Sequence, residues 1–236
     1  MILSTENLII GYGKSSSRVA GPFSFRISEG ECILLCGANG SGKSTLMKTI
    51  AGMIPPIEGT VSEHSGQTVM IPTRIPKVKG FTLEEFIYTG FYAKSSWSGR
   101  LGEKEKENAK KAMEELGIIA LRGRDISGLS DGEFQKGCIA SAVARMKGSG
   151  GGLLLLDEPT AFLDVDSRAG VLEILKNLTG EGRISVIFSS HDIHDSARKA
   201  DRVFAIREGV FRDSAAEGEE PTDTLGWAFD SVKREQ

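Results

Sequence analysis

The stretch Gly37-Ala38-Asn39-Gly40-Ser41-Gly42-Lys43-Ser44-Thr45 decides how the rest of the chain is read. It follows a short apolar run, Cys32 to Cys36, and opens a segment of helical character from Leu46 to Ala51. Strand, glycine loop and helix, with the spacing G-x-x-x-x-G-K-[ST], make a phosphate-binding P-loop. Glycines suit such a loop because its backbone N–H groups must turn inward around a polyphosphate, where side chains would stand in the way. The following helix aims its positive end at the same anion. At this spacing Lys43 reaches the terminal phosphates and the Ser44 hydroxyl takes one position on Mg²⁺. Gly37, Asn39, Gly40, Ser41, Gly42 and Thr45 complete the cradle. The alternative, an ordinary glycine-rich turn before a basic helix, does not account for both flanking elements. A nucleoside-triphosphate site is expected.

Composition narrows the setting. The chain has 236 residues, 39% of them hydrophobic, enough for an α/β core with one inserted subdomain. A net charge of −3 without a basic stripe gives no footprint for nucleic acid. Cys32, Cys36 and Cys138 lie in or beside apolar runs without metal-ligand spacing, and read as buried reduced thiols. Residues 1–10 carry no basic region or cleavage pattern of a signal peptide. No apolar run approaches the roughly 18 residues of a membrane span, so work at a membrane requires docking onto another chain.

Residues 1–10 alternate as a first strand leading to Gly11-Tyr12-Gly13. Tyr12 either stacks on an adenine ring or covers a sheet edge. Residues 14–21 read as a loop, and Phe23, Phe25 and Ile27 alternate as a strand. Glu58-Gly59-Thr60-Val61 reads as a turn into another strand, and Thr68–Ile71 as one more. Thr82-Leu83-Glu84-Glu85 is a capping box opening a helix to about Thr89. Ala109, Ala112, Met113 and Leu116 mark the face of a second helix, and Leu129 to Glu133 open a third. Residues 76–148 therefore read as a helical insertion between core segments 1–75 and 149–236. Leu153 to Leu156 and Ile184 to Phe188 are apolar throughout, as in a parallel sheet covered on both faces. Val203–Ile206 and Val210–Phe211 suggest a closing hairpin, residues 213–223 a mobile acidic segment, and Leu225–Phe229 a short docked helix.

The strand Leu153–Leu156 ends in Asp157 and Glu158. Asp157 is placed to hold Mg²⁺, and Glu158 to orient or deprotonate an attacking water. His191 and His194 form an H-x-x-H, but His191 sits at a strand end and no third metal ligand is evident.

Over nearly its whole length the sequence resembles the ATP-binding subunits of ABC transporters. The resemblance rests on the P-loop, on Leu129-Ser130-Asp131-Gly132-Glu133 in place of the family's Leu-Ser-Gly-Gly-Gln signature, and on Glu158-Pro159-Thr160-Ala161-Phe162-Leu163-Asp164. It implies an α/β fold, a P-loop core with a mixed sheet, joined to an antiparallel N-terminal β-subdomain and the helical insertion. It implies ATP and Mg²⁺ as ligands, and a head-to-tail homodimer in which Ser130 and Gly132 of one copy close on the γ-phosphate held by the other. Tyr12 becomes the adenine-stacking aromatic, Asp164 the D-loop carboxylate and His191 the switch histidine. Catalysis falls to Glu158, His191 and Lys43, and the metal to Ser44, Asp157 and Thr73.

Two residues depart from the family pattern. Asp131 replaces a glycine, and its carboxylate must point away from any phosphate. Thr73 stands where a glutamine is expected, with a hydroxyl shorter than the amide. Hydrolysis should survive this change while coupling to a membrane partner is altered. The stretch Phe81 to Phe86, Gly90-Phe91-Tyr92 and the Leu-Ser-Asp-Gly-Glu variant resemble bacterial importer ATPases for iron complexes, haem and cobalamin. That implies integral-membrane permease subunits, a solute-binding protein, no nucleic-acid partner, and a peripheral place on the cytoplasmic face of the cell membrane. Phe81, Phe91, Tyr92 and Trp97 are candidate docking aromatics, with packing inside the insertion as their other reading. A soluble ABC ATPase of translation or DNA repair, a non-hydrolysing regulatory form and an exporter subunit are the alternatives.

Overall fold

A computed structural model describes residues 1–13, 18–92 and 101–229, apart from the Tyr92 side chain. Trp97 lies outside the described residues. The N-terminal strands are β1 (Leu3–Gly11) and β2 (Arg18–Ile27), followed by β3 (Cys32–Gly37), α1 (Lys43–Ile50), β4 (Glu58–Glu63) and β5 (Gln67–Ile71). Strands β2, β1 and β4 form an antiparallel sheet in that order. Its inward positions are the alternating apolar residues Leu3, Leu8, Phe23, Phe25 and Ile27, all buried.

Helices α2 (Leu83–Tyr92), α3 (Glu103–Glu115) and α4 (Asp131–Gly148) come next in the chain, before β6 (Gly152–Leu156). The Thr82 capping box is in place, with Thr82 N–H donating to Glu85 Oε2 at 2.8 Å and Glu85 N–H to Thr82 Oγ1 at 3.2 Å. The chain then runs through α5 (Val165–Gly180), β7 (Ile184–Ser189), α6 (Ile193–Lys199), β8 (Arg202–Arg207), β9 (Val210–Asp213), α7 (Ser214–Glu217) and α8 (Pro221–Phe229).

The second sheet has the order β5-β6-β7-β3-β8-β9, parallel except where β9 returns against β8. Its central strands are buried on both faces. Cys32, Leu34, Leu154, Leu156, Val186 and Phe188 join one apolar cluster with the helices α2 to α5. Ile33, Leu35, Leu153, Leu155 and Ile187 join the other, with α1 and the antiparallel sheet. Core and helical insertion thus share one apolar interior. The ladder sets Ile71 beside Leu156, Leu156 beside Phe188, and Leu35 beside Ser189 and Phe204. The segments bearing Gly37, Thr73, Asp157 and His191 therefore leave the sheet at one edge, the carboxyl ends of parallel strands, where open α/β sheets bind ligands.

Two expectations need correction, and the open reading of Phe91 is decided. Arg18 to Gly21 belong to β2, held by bulged pairing to β1, rather than to a loop. The acidic segment from Asp213 is ordered: Asp213 and Ser214 are buried, and Asp213 clasps Arg202 with both carboxylate oxygens, one bond at 2.7 Å. Arg202 also donates to the Arg26 carbonyl at 2.8 Å and lies 3.1 Å from Glu31. Composition misleads there because the segment is anchored by two arginine pairs, Arg202 with Asp213 and Arg212 with Glu219. Phe91 is buried in the larger cluster. Offering its ring to a partner would forfeit about 1.5–3 kcal/mol of burial, so Phe91 packs within the fold. Phe81 is exposed.

Candidate active site

The glycine loop runs from the end of β3 into α1 with positive φ at Gly37, Gly40 and Gly42. Gly37 is the most constrained, since a Cβ there would lie 2.3 Å from the Ile206 carbonyl oxygen. Gly42 caps α1 from the left-handed region and no side chain caps that end. The first-turn N–H groups of α1 are thus left for another acceptor. The Lys43 ammonium is largely buried and donates to the carbonyls of Gly37 (2.8 Å) and Ala38 (3.1 Å). Burial draws its pKa below the ordinary 10.5, while the nearby carboxylates of Glu158 and Asp157 pull it back up. Ser41 Oγ is buried without a hydrogen-bond partner among the described residues. An unpaired buried hydroxyl and a cation resting on its own loop both suit a polyphosphate ligand.

Opposite the loop, β6 and β7 end side by side. Asp157 is buried and accepts from Ser189 Oγ at 2.9 Å, and the same Oγ accepts from the Glu158 backbone N–H at 2.8 Å. Glu158 has φ +52°, a left-handed conformation that costs a non-glycine residue about 1–3 kcal/mol. The Ser189 bond helps hold it there. His191 Nε2 stands 2.7 Å from Glu158 Oε1. The Ser44 hydroxyl and the Asp157 carboxylate are hard oxygen donors, the chemistry Mg²⁺ prefers. Thr73 and Glu158 line one cleft of about 560 Å³, together with Lys77, Asp131 and Phe162. Tyr12 is half exposed, and its hydroxyl accepts from Thr45 Oγ1 at 3.2 Å. That leaves much of its ring open beside the loop.

The structure therefore brings Lys43, Asp157, Glu158 and His191 together. It does not bring Ser130 or Gly132 into hydrogen bonding with them. Ser130 caps α4 in a reciprocal box, accepting from Glu133 N–H at 3.2 Å and donating its own N–H to Glu133 Oε2 at 2.8 Å. Gly132 is buried, and a Cβ there would approach Ser167 Oγ to 2.7 Å. Asp164 caps α5, with Ser167 N–H at 2.8 Å.

Sequence reading missed two side chains. Ser189 was visible only as a strand end; the β6–β7 register is what sets it beside Asp157. Arg168 donates to Asp192 Oδ2 at 2.9 Å and to the Leu163 carbonyl at 3.3 Å, tying the segment after Glu158 to the one bearing His191. No spacing motif announces that bridge.

A family model described as ABC transporter matches residues 21–161. The chain belongs to the ABC transporter family, as an ATP-hydrolysing subunit. The match spans the glycine loop, the Ser130 segment and Asp157-Glu158, but neither Tyr12 nor His191. Similar ABC proteins include the high-affinity zinc uptake system ATP-binding protein ZnuC of Bacillus subtilis (strain 168). It is 34% identical over 218 residues, covering 88% of this chain and 92% of that protein. The iron(3+)-hydroxamate import ATP-binding protein FhuC of the same organism is 32% identical over 220 residues, 88% of this chain and 80% of that one. The ferric enterobactin transport ATP-binding protein FepC of Escherichia coli (strain K12) is 30% identical over 219 residues, covering 88% and 79%. Among solved structures, an inward-facing ABC transporter of metal-chelate type superposes with a TM-score of 0.82 at 24% identity, covering 97% of this chain and 88% of that one. The ATP-binding cassette MJ1267 in its ADP conformation gives 0.81 at 21%, covering 97% and 95%. The mixed sheet beside an antiparallel one is the ABC ATPase fold.

Proposed function

We propose that this chain powers an ABC importer for a metal ion or an iron chelate, docked on permease subunits at the cytoplasmic face of the cell membrane. The observation that carries its chemistry is the Ser189-centred join of Asp157 and Glu158 opposite the Lys43 loop. The cargo class is supported by the relatives, whose names speak of zinc uptake and of iron(3+)-hydroxamate and ferric enterobactin transport. Haem and cobalamin have no such support. Among the described residues, no helix is long and apolar enough to cross a membrane.

In this reading the loop N–H groups and Lys43 hold the phosphates of ATP, and the Tyr12 ring covers the adenine. Ser44 and Asp157 would hold Mg²⁺, which would neutralise charge on the β- and γ-phosphates; Thr73 is a further oxygen donor at the same edge. The Glu158 carboxylate takes a proton from water as its oxygen attacks the γ-phosphorus, and the bond to the β–γ bridging oxygen breaks, releasing ADP. His191, in contact with Glu158, orients that carboxylate and turns toward the γ-phosphate when ATP is bound. A second copy, head to tail, offers Ser130 and Gly132 to the same phosphate. Residues 76–148 act as the helical unit that meets the permease, with a solute-binding protein on the far side.

Co-purification from native membranes, after cross-linking, tests the assembly. Recovery of a polytopic permease with ATP-dependent metal or metal-chelate uptake is the expected result. Recovery only with soluble ribosomal or repair proteins would overturn the transport reading.

A further inference from the structure

Thr73 and Asp131 line the same cleft, and one side chain links their segments. Lys77, four residues beyond Thr73, sends its ammonium to Asp131 Oδ1 at 2.6 Å and to the Leu129 carbonyl at 2.8 Å. The two acceptors stand on either side of Ser130 in the chain. Lys77 is mostly covered, its side chain 24% exposed, and its ammonium lies 5.6 Å from the Phe134 ring centroid.

We propose that Lys77 is a positioning residue for the Ser130 segment: it neutralises Asp131 and locks the entry of α4 to the strand-end segment that carries Thr73. The proposal rests on the reading that Ser130 and Gly132 close on a phosphate held by a second copy. Asp131 lies between those two residues, 64% exposed. Left unpaired, its charge would oppose the incoming anion, and the repulsion would grow as the closing interface sheds water. The other cations at this helix start, Arg124 and Lys136, face Glu133 and do not pair with Asp131. Glu133 is also acidic, and Arg124 lies 3.7 Å from Glu133. Lys77 alone among the described residues pairs with Asp131. Because its second bond goes to backbone, the amine fixes geometry as well as charge. A half-exposed ion pair adds little to folding stability, so its loss should leave the fold intact.

The test uses the full chain assembled with its permease, comparing Lys77→Met, Lys77→Arg, Asp131→Gly and the double variant Lys77→Met/Asp131→Gly. Steady-state phosphate release gives kcat and KM, and titration with a fluorescent N-methylanthraniloyl ATP gives nucleotide affinity of the separate chain. Lys77→Met is expected to lower kcat/KM about tenfold, with nucleotide affinity of the separate chain unchanged, and the loss should narrow as salt rises. Removing Asp131 in the same chain should recover a large part of the loss, the remainder reflecting the Leu129 bond that Asp131→Gly alone retains, and Lys77→Arg should keep most of the activity. Activity of Lys77→Met within about twofold of wild type, or a double variant as impaired as the single one, would overturn the proposal. Failure of the unaltered chain to hydrolyse ATP or to pair on ATP would instead remove the reading on which it rests.

Discussion

The strand-end region and the α4 entry face the same chemistry with different construction. At the strand ends, a buried bond joins Asp157 to Ser189, a partly buried one joins Ser189 to Glu158, and a contact open to solvent on the His191 side joins Glu158 to His191, all within one chain. At the α4 entry, the polar groups are exposed, and their bonds run to a local cap and to Lys77. The first region is set before any partner arrives. The second is held ready but satisfied locally, which suits a surface that works only when another copy meets it. Substitutions should divide accordingly, with large effects in the first region and conditional ones in the second.

The sharpest break is Glu158→Gln. It keeps the shape and the backbone conformation but removes the proton acceptor, so hydrolysis should fall by about 10²–10⁴-fold while ATP is still bound. Phosphate release and nucleotide titration on the same preparation check this. Undiminished hydrolysis would place the base elsewhere and dissolve the contrast between the regions.

Ser189→Ala comes next. It strips a partner from a buried carboxylate and from the Glu158 N–H together. An unsatisfied buried group costs about 1–3 kcal/mol, so the denaturation midpoint should fall visibly, and hydrolysis with it by about tenfold. Should stability drop without loss of rate, Ser189 would be a structural support only.

Thr73→Gln probes the link between the regions, since Thr73 lines the cleft shared by Glu158 and Asp131. The longer amide should change hydrolysis, or its stimulation by the permease, by about two- to fivefold in the assembled complex. Neither quantity changing would mean that coupling does not run through this position.

Much of this architecture could be read from residues alone, and the reason is local. Gly37 to Thr45, Asp157-Glu158 and the Thr82 and Ser130 capping boxes carry their chemistry within a few consecutive positions, so spacing reveals them. Ser189, Arg168 and Lys77 act across separations of 24 to 54 residues. Their roles depend on strand register and on which segments leave the sheet together. The acidic run after Asp213 misled for the same reason: its counter-charge, Arg202, is supplied by the neighbouring strand. Phe91 stayed open because an aromatic in a helix reads equally as anchor or as core until the opposite helix is in place.

The smallest expected effect compares the two regions through their helix caps. Glu133 at the start of α4 is held below its ordinary 4.5, chiefly by the Ser130 N–H, and Asp164 at the start of α5 below 3.8, chiefly by the Ser167 N–H. A carboxylate lowered in this way stabilises the fold above its unfolded pKa, and the contribution is lost as pH falls through the folded value. Thermal midpoints followed from about pH 6 down to about pH 3 should therefore fall less steeply in Glu133→Gln and Asp164→Asn than in the parent chain. Similar reductions would mean that the two helix starts are equally firm, leaving the contrast in the cross-links around Glu158 and not in helix stability. A reduction for Asp164→Asn alone would show the α4 cap to be loose in the separate chain, and would place the ordering of Ser130 at the moment when a second copy closes on it.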